Sequence, residues 1–400
     1  MKKALVYIQS GGPTAVINTS LYGIIKEAKK HPNEICGIYG SLHGIEGLID
    51  DQIIDLEREK DETIELLQQT PGAALGTTRY KLPKDIRDPI YRRIVETIRL
   101  HNIGYIFVNG GNDSMDTCHK LSLLFKNLEL DCRVMGIPKT IDNDLAMTDH
   151  CVGFGSAAKY VINTVKEVCT DAKCYKKGKV FIVEIMGRNA GWLTASVDML
   201  PHDCRPDFIY LPENTFNMEE FLADVKATYD HKGHCICAIS EGIVFERDTS
   251  SARIDAFNHV QLGGAADALA KVVETRLNLP TRSVELSLIQ RADPILVSKV
   301  DHDEAIECAK VALNAALKGE TGKMVGIIRT SDSPYEVKYE LLDISKIANV
   351  EKTVPFEMIG GKKGMTSAFR KYLHPLIQGG INIKYKDGVL ETATLEKYQL

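Results

Sequence analysis

Four hundred residues, at about 100–200 per domain, imply two or three domains or one α/β core with an appendage. The chain is 44% hydrophobic and 26% charged, which excludes a disordered chain, a fibrous repeat and a disulfide-stapled miniature. Lys and Arg total 49 against 54 Asp and Glu, a net charge of −5, so neither nucleic acid nor a membrane is an expected partner, and any anionic ligand must be held by a local cluster.

The start, Met1-Lys2-Lys3, is basic, but the apolar stretch behind it is only Ala4 to Ile8. That is shorter than the roughly 7–15 residues of a secretory core or the roughly 20 of a membrane span. Ala4–Ile8 reads instead as a buried strand, followed by the turn Ser10-Gly11-Gly12-Pro13-Thr14. Ile17, Leu21, Ile24, Ile25 and Ala28 then recur at helical spacing. Asp88-Pro89 has the form of an N-cap and first helical residue ahead of Ile90, Ile94 and Ile98. Tyr105–Val108, Arg133–Ile137, Val180–Ile185, Phe208–Leu211, Cys235–Ile239 and Met324–Ile328 continue the strands. Apolar runs without alternation, separated by helices, predict mostly parallel sheets covered by helices on both faces.

Ten cysteines without a CxxC pair do not form a disulfide framework and suit a reducing cytoplasm. Cys235-Ile236-Cys237, preceded by His231 and His234, reads as a turn and core strand rather than a metal site, with its two thiols assigned to opposite faces. Phe245 to Gly263 is polar and irregular, in the manner of an insertion. Gly360-Gly361-Lys362-Lys363-Gly364 has no apolar strand before it and reads as a turn rather than a phosphate loop.

Ligands of open α/β sheets bind beyond the carboxyl ends of the strands, where loops meet helix N-termini. Four motifs fall there. Gly11-Gly12-Pro13-Thr14 and Gly110-Gly111-Asn112-Asp113-Ser114 are glycine turns whose N–H groups can approach phosphate, though each is also explained by a tight turn or a helix cap. Neither the GxGxxG nor the Walker A spacing is present. Pro138-Lys139-Thr140-Ile141-Asp142-Asn143-Asp144 offers a proton acceptor beside a cation, which suits metal-assisted phosphoryl transfer. Met186-Gly187-Arg188-Asn189-Ala190-Gly191 sets an arginine for bidentate phosphate binding.

In this order the four motifs resemble the phosphofructokinase family over about Lys3 to Gly326. Gly76-Thr77-Thr78-Arg79-Tyr80-Lys81, Ser240-Glu241-Gly242 and Arg282 through Ile289-Gln290-Arg291 add to the likeness. The resemblance implies two Rossmann-like α/β domains plus a C-terminal extension. Residues 1–150 form a donor-binding domain completed by about 290–330; 151–289 bind sugar phosphate; 331–400 are the extension. It implies Asp142 as the base taking the proton of the 1-hydroxyl of fructose 6-phosphate, with Thr140 and Asp144 shaping that loop. Met186, Gly187, Arg188 and Glu241 would contact the sugar, and Arg282 and Arg291 its 6-phosphate, one of them across a subunit boundary. Gly12, Arg79, Lys81, Gly111 and Ser114 would hold the phosphoryl donor. Asn112, with Asp113 as a second candidate, would hold Mg²⁺. A homodimer or homotetramer with shared active sites follows from the same resemblance.

The family divides by donor. Its ATP-using members carry glycine in place of Asp113 and usually in place of Lys139. A carboxylate about 4 Å from the α-phosphate would cost about 4 kcal/mol at an effective dielectric of 20. Pyrophosphate has no such group, and a fixed ammonium at Lys139 would meet the charge that develops in transfer. The resemblance therefore implies reversible, pyrophosphate-dependent phosphorylation of fructose 6-phosphate in glycolysis and gluconeogenesis. An ATP-dependent enzyme with a displaced loop and a non-catalytic sugar-phosphate-binding subunit stand as alternatives. The chain departs from the common pattern at Asn112, where many relatives have aspartate, at Lys179 for arginine, at Leu288 for histidine, and at Tyr22 for an effector-site arginine.

Overall fold

The computed structural model describes residues 2–245 and 264–400, so nearly all of the polar stretch ending at Gly263 lies outside the described residues. In chain order the strands are β1 (Lys3–Gln9), β2 (Ile35–Ser41), β3 (Ile53–Asp55), β4 (Ile103–Gly110), β5 (Arg133–Pro138) and β6 (Val180–Ile185). They continue with β7 (Phe208–Tyr210), β8 (Cys235–Ser240), β9 (Thr281–Glu285), β10 (Lys323–Asp332) and β11 (Tyr335–Asp343). The long helices are α1 (Ile17–Ala28), α2 (Pro89–Leu100), α3 (Asn112–Asn127), α4 (Phe154–Ala172), α5 (Met218–Lys232), α6 (Ala265–Leu277) and α7 (Lys299–Leu317). None of the described helices is long and apolar enough to cross a membrane. As predicted, Pro89 opens α2 and the Asp88 carboxylate accepts the N–H of Ile90.

The chain forms two compact units. One comprises Met1–Ser156, Arg291–Glu351 and Gly379–Leu400; the other Ala157–Gln290 and Lys352–Gln378. The first holds a seven-stranded sheet in the order β11-β10-β5-β4-β1-β2-β3. Its inner pairs are parallel, while β3 and β11 close the two edges antiparallel. Alternation of side chains splits β1 between two cores. Leu5 and Tyr7 join Phe107, Met135 and Val325 in the cluster that also takes Leu21, Ile24 and Ile25 of α1 and Ala305, Cys308 and Ala312 of α7. Val6 and Ile8 join Ile106, Val108 and Val134 with Ile94 and Ile98 of α2 and Leu121 of α3. Burying each large apolar side chain contributes about 1.5–3 kcal/mol, so both faces must be covered, which is why these strands read as continuous apolar runs.

The second unit holds a parallel four-stranded sheet, β7-β8-β6-β9. Val180, Ile182, Cys235, Cys237 and Ile239 pack with Phe221 and Val225 of α5 and Leu269 and Val273 of α6. Cys235 and Cys237 lie on the same face, their Sγ atoms 3.9 Å apart, which corrects the assignment to opposite faces: a period of two returns i and i+2 to one side. The stretch 331–400 is shared between the two units. Its β11 extends the first sheet, Lys352–Gln378 belongs to the second unit, and the final residues return to β3, where Leu400 donates its N–H to Ile53. The Gly360–Gly364 turn lies in the second unit, where Lys362 is paired with the carboxylates of Glu220 and Asp224.

Candidate active site

In the first unit β1 stands with β2 on one side and β4 on the other, so the strand order reverses there. Three of the four motifs leave the carboxyl ends of β1, β4 and β5, which are neighbours. Backbone bonds tie the turns together: Ser10 donates to the Asn109 carbonyl at 2.9 Å and Lys139 to that of Gly110 at 3.1 Å. Gly11, at φ +78°, donates to the Thr78 carbonyl at 3.1 Å and accepts from the Thr77 hydroxyl at 2.7 Å, which brings the Gly76–Lys81 segment to the same turn. Gly110 and Gly111 then start α3, with Gly111 as the N-cap residue; neither Asp113 nor Ser114 caps the helix. A Cβ at Gly110 would collide with the Ser114 side chain, so this close approach needs glycine.

Lys139 is 2% exposed, and its Nζ donates to the Gly12 carbonyl at 2.5 Å. Burial, with the Arg291 guanidinium adding to it, pushes this ammonium down to about 7, against an upward pull from Asp142 and Asp144. The same burial, with Asp142 close by, pushes the Asp144 carboxyl up to about 7. A proton held on Asp144 removes the repulsion between the two carboxyl groups. The loop is set by its own polar groups: the Asp142 N–H donates to Thr140 Oγ1 at 3.1 Å, and Asn143 sits at φ 55°.

Lys81 and Asp113 form an ion pair, Nζ to Oδ1 2.9 Å. Arg291 also belongs to this unit; a Cβ at Gly12 would stand 3.0 Å from its Nη1, so the guanidinium lies over the β1 turn. Asn112 donates its amide to the Val350 carbonyl at 2.9 Å, while its Oδ1 is buried without a hydrogen-bond partner. Among the described residues no group of three His, Cys, Asp or Glu side chains is placed to hold a metal ion.

The second unit gathers another set at the carboxyl ends of β6 and β8. The Gly187 N–H donates to Glu241 Oε1 at 3.3 Å, and the Glu241 N–H to the Ile185 carbonyl at 2.9 Å. Ser240 donates to the Gly187 carbonyl, and Gly187 takes φ +139°. A Cβ at Gly242 would strike the Arg188 carbonyl, so the two turns are packed backbone to backbone. Burial pushes the Glu241 carboxyl up. Met186 donates its N–H to Gln290 Oε1 at 3.0 Å, and Gln290 is 2% exposed. The sequence does not single out Gln290, because a neutral amide between an apolar residue and an arginine gives no chemical signal. Arg282 is not brought to this cluster. It is exposed on edge strand β9 in register with Phe181, five residues and roughly 16 Å of strand from Met186.

A family profile described as Phosphofructokinase matches residues 4–316. The chain belongs to the phosphofructokinase family. It is 39% identical to the pyrophosphate--fructose 6-phosphate 1-phosphotransferase of Methylococcus capsulatus over 97% of this chain and 95% of that relative. The protein of the same name in Halomonas elongata is 38% identical over 98% of this chain and 96% of its own length. Among solved structures, the pyrophosphate-dependent phosphofructokinase of Nitrosospira multiformis matches with a TM-score of 0.90 at 35% identity, covering 100% of this chain and 98% of that one. The phosphofructokinase fold thus extends through the last residues here. The final segment is part of it: Gln69 donates to the Lys384 and Glu391 carbonyls at 2.9 and 2.7 Å, bracing the segment that precedes Gly76–Lys81.

Proposed function

We propose that this phosphofructokinase transfers a phosphoryl group from pyrophosphate to the 1-hydroxyl of fructose 6-phosphate, reversibly, giving fructose 1,6-bisphosphate and phosphate. The observation that carries the donor choice is the pair of charges at the glycine turns, a buried Lys139 on the β1 turn and Asp113 in the first turn of α3. The full-length relatives named for pyrophosphate support it. The test is a donor assay with pyrophosphate and ATP in both directions, with and without Mg²⁺; turnover with ATP alone would reject it.

In this reading Asp142 accepts the proton of the attacking hydroxyl, and Thr140 and Asp144 shape the loop around the sugar. Lys139 lies where charge develops in a loose transition state, so it stabilises the leaving phosphate by position. Gly12, Gly111 and Ser114 present the donor turns, with Arg79 and Lys81 as cations for pyrophosphate. Met186, Gly187, Arg188 and Glu241 hold the sugar, and Arg282 and Arg291 its 6-phosphate. The position of Arg291 over Gly12, beside Lys139, adds it to the donor cations as well. We take the metal to be Mg²⁺. The orphaned Asn112 Oδ1 fits a hard cation whose other oxygen ligands come from phosphates and water, and Asn112, with Asp113, would hold it. When bound, such an ion neutralises phosphate charge.

We infer a homo-oligomer with shared sites, and assign the exposed Arg282 of edge strand β9 as the arginine that reaches the 6-phosphate of a second copy. Sedimentation of the pure protein as a dimer or tetramer is the expected result; a catalytically active monomer would reject the inference.

Lys139 also gives a pH prediction. Its pKa near 7 leaves it largely neutral at pH 8 without donor, and an arriving anion restores the charge. Pyrophosphate binding at pH 8 is therefore expected to take up about one proton more in the parent than in Lys139→Met, read from binding enthalpies in buffers of different ionisation heat. Protonation of pyrophosphate itself is common to both proteins and cancels. Equal uptake would show that Lys139 is already charged.

A further inference from the structure

The reacting loop Thr140–Asp144 does not stand alone. Thr140 donates its N–H to the Val152 carbonyl at 3.0 Å and bridges to Gly153, while the side-chain oxygen of fully buried Asn143 accepts the Cys151 N–H at 3.0 Å. The strip Cys151–Gly153 is thus the surface against which the loop is laid. Its far end is held in turn by Asp301 of α7, whose carboxylate accepts the N–H groups of Gly153 and Ser156 at 2.8 and 3.0 Å.

At its near end the strip carries His150, 1% exposed. Nδ1 lies 2.8 Å from Asp149 Oδ2 and Nε2 lies 2.6 Å from Glu304 Oε2 on α7. Carboxylates only accept, so both ring nitrogens must carry protons, and the buried ring is an imidazolium. Each carboxylate has a second anchor. Glu304 Oε1 accepts the Tyr335 hydroxyl of β11 at 2.5 Å, and Asp149 Oδ2 accepts Nε and Nη2 of Arg329 on β10 at 3.1 and 2.9 Å. Arg329 reaches Asp332 with its other nitrogen and lies 5.3 Å over the Tyr335 ring. Just upstream, the Thr148 hydroxyl and the Asp149 N–H are hydrogen-bonded to the Ile327 backbone of β10. Four separate pieces of the first unit meet at one ring.

We propose that His150 is a positioning residue for phosphoryl transfer: clamped between Asp149 and Glu304, it fixes the strip on which Thr140 and Asn143 rest and, through them, the place of the Asp142 carboxylate. This rests on the reading of Asp142 as the base. An ion cluster so fully satisfied is costly to break by removing one member, because the others remain buried and charged. Burial pulls the imidazolium down, but the attraction of Glu304 and the hydrogen bond to Asp149 outweigh it and raise it to about 9. With the folded value above the ordinary one, the stabilisation is whole below about pH 6.5 and is lost as pH rises through about 9.

The experiment is the pH profile of kcat and of both KM values for the parent, His150→Gln and Tyr335→Phe, with melting curves to confirm folding. The proposal expects His150→Gln to lose about tenfold or more in kcat at pH 7.5, since small misplacements of reacting groups carry large rate losses, with each KM within about threefold. It expects the parent to show an alkaline fall in kcat near pH 9 that His150→Gln lacks. Tyr335→Phe removes one donor from Glu304 and strengthens that carboxylate's hold on the ring, so its alkaline fall should move to higher pH. Should His150→Gln fail to fold, the Tyr335→Phe shift alone decides. A parent alkaline limb unmoved by Tyr335→Phe, or a His150→Gln kcat within twofold of the parent, overturns the proposal. A parent without pyrophosphate-dependent activity would instead sink the underlying reading.

Discussion

Replacing Asp142 with asparagine is expected to lower kcat by about 10²–10⁴-fold while KM for fructose 6-phosphate and for pyrophosphate stays within a few-fold. The substitution keeps the size and the backbone bond from the Asp142 N–H to Thr140, so the loop retains its shape. What it removes is the proton acceptor we propose for the 1-hydroxyl. The neighbouring Asp144 is a poor substitute. Its carboxyl, pushed up to about 7 by burial and by Asp142, is partly protonated near neutrality. Loss of the Asp142 charge would lower that value and leave Asp144 more fully ionised, so a small residual rate rising with pH is part of the expectation. Steady-state kinetics from pH 6 to 9 measure it. Turnover within a few-fold of the parent would remove Asp142 from its role.

The sequence made the buried strands legible because a strand covered on both faces must be apolar throughout. Ala4–Ile8, Val180–Ile185 and Cys235–Ile239 all lie within strands, and every residue of the three runs is buried. It was less informative at edges. β9, Thr-Arg-Ser-Val-Glu, leaves three of its five residues exposed and has no apolar run. β2 contains two glycines and β3 only three residues. β11 did carry a signal, Tyr335, Val337, Tyr339 and Leu341 alternating with Glu336, Lys338 and Glu340, but its charge made it read as part of a tail.

The turns proposed for the site stood out for a different reason: each alone is also explained by a tight turn or a helix cap, but four in one order at strand ends match a known family. Contacts between distant segments were not legible. Nothing local to Lys81 points to Asp113, nothing in Ile289-Gln290-Arg291 says that the amide holds Met186 while the guanidinium lies over Gly12, and nothing beside His150 in the chain points to Glu304. Such pairings are decided by the sheet order, which brings β1, β4 and β5 side by side and lays β10 beside β5.

The second large effect concerns donor choice, and the ion pair changes what should be expected of it. If Asp113 acted only by repelling an α-phosphate, Asp113→Gly would open the site to ATP by as much as the full repulsion, about 4 kcal/mol or about three decades in rate constant. The carboxylate is instead paired with Lys81 at 2.9 Å, and its side chain is 30% exposed, so part of its field is cancelled or screened. The gain in kcat/KM for ATP should therefore be smaller, about ten- to a hundredfold. The same substitution removes the Asp113 carboxylate from Lys81, whose side chain is 43% exposed, and so weakens its hold toward the donor turn. Pyrophosphate KM should rise several-fold, an effect that pure exclusion does not produce. Lys139→Gly should differ in kind. It removes a cation buried against Gly12, so its main loss falls on pyrophosphate kcat, and it gives no access to ATP while Asp113 remains. Comparing kcat and KM for both donors in Asp113→Gly, Lys139→Gly and the double variant separates the two roles. ATP use unchanged in Asp113→Gly would defeat the exclusion argument. An unchanged pyrophosphate KM would instead show that Lys81 does not depend on its partner.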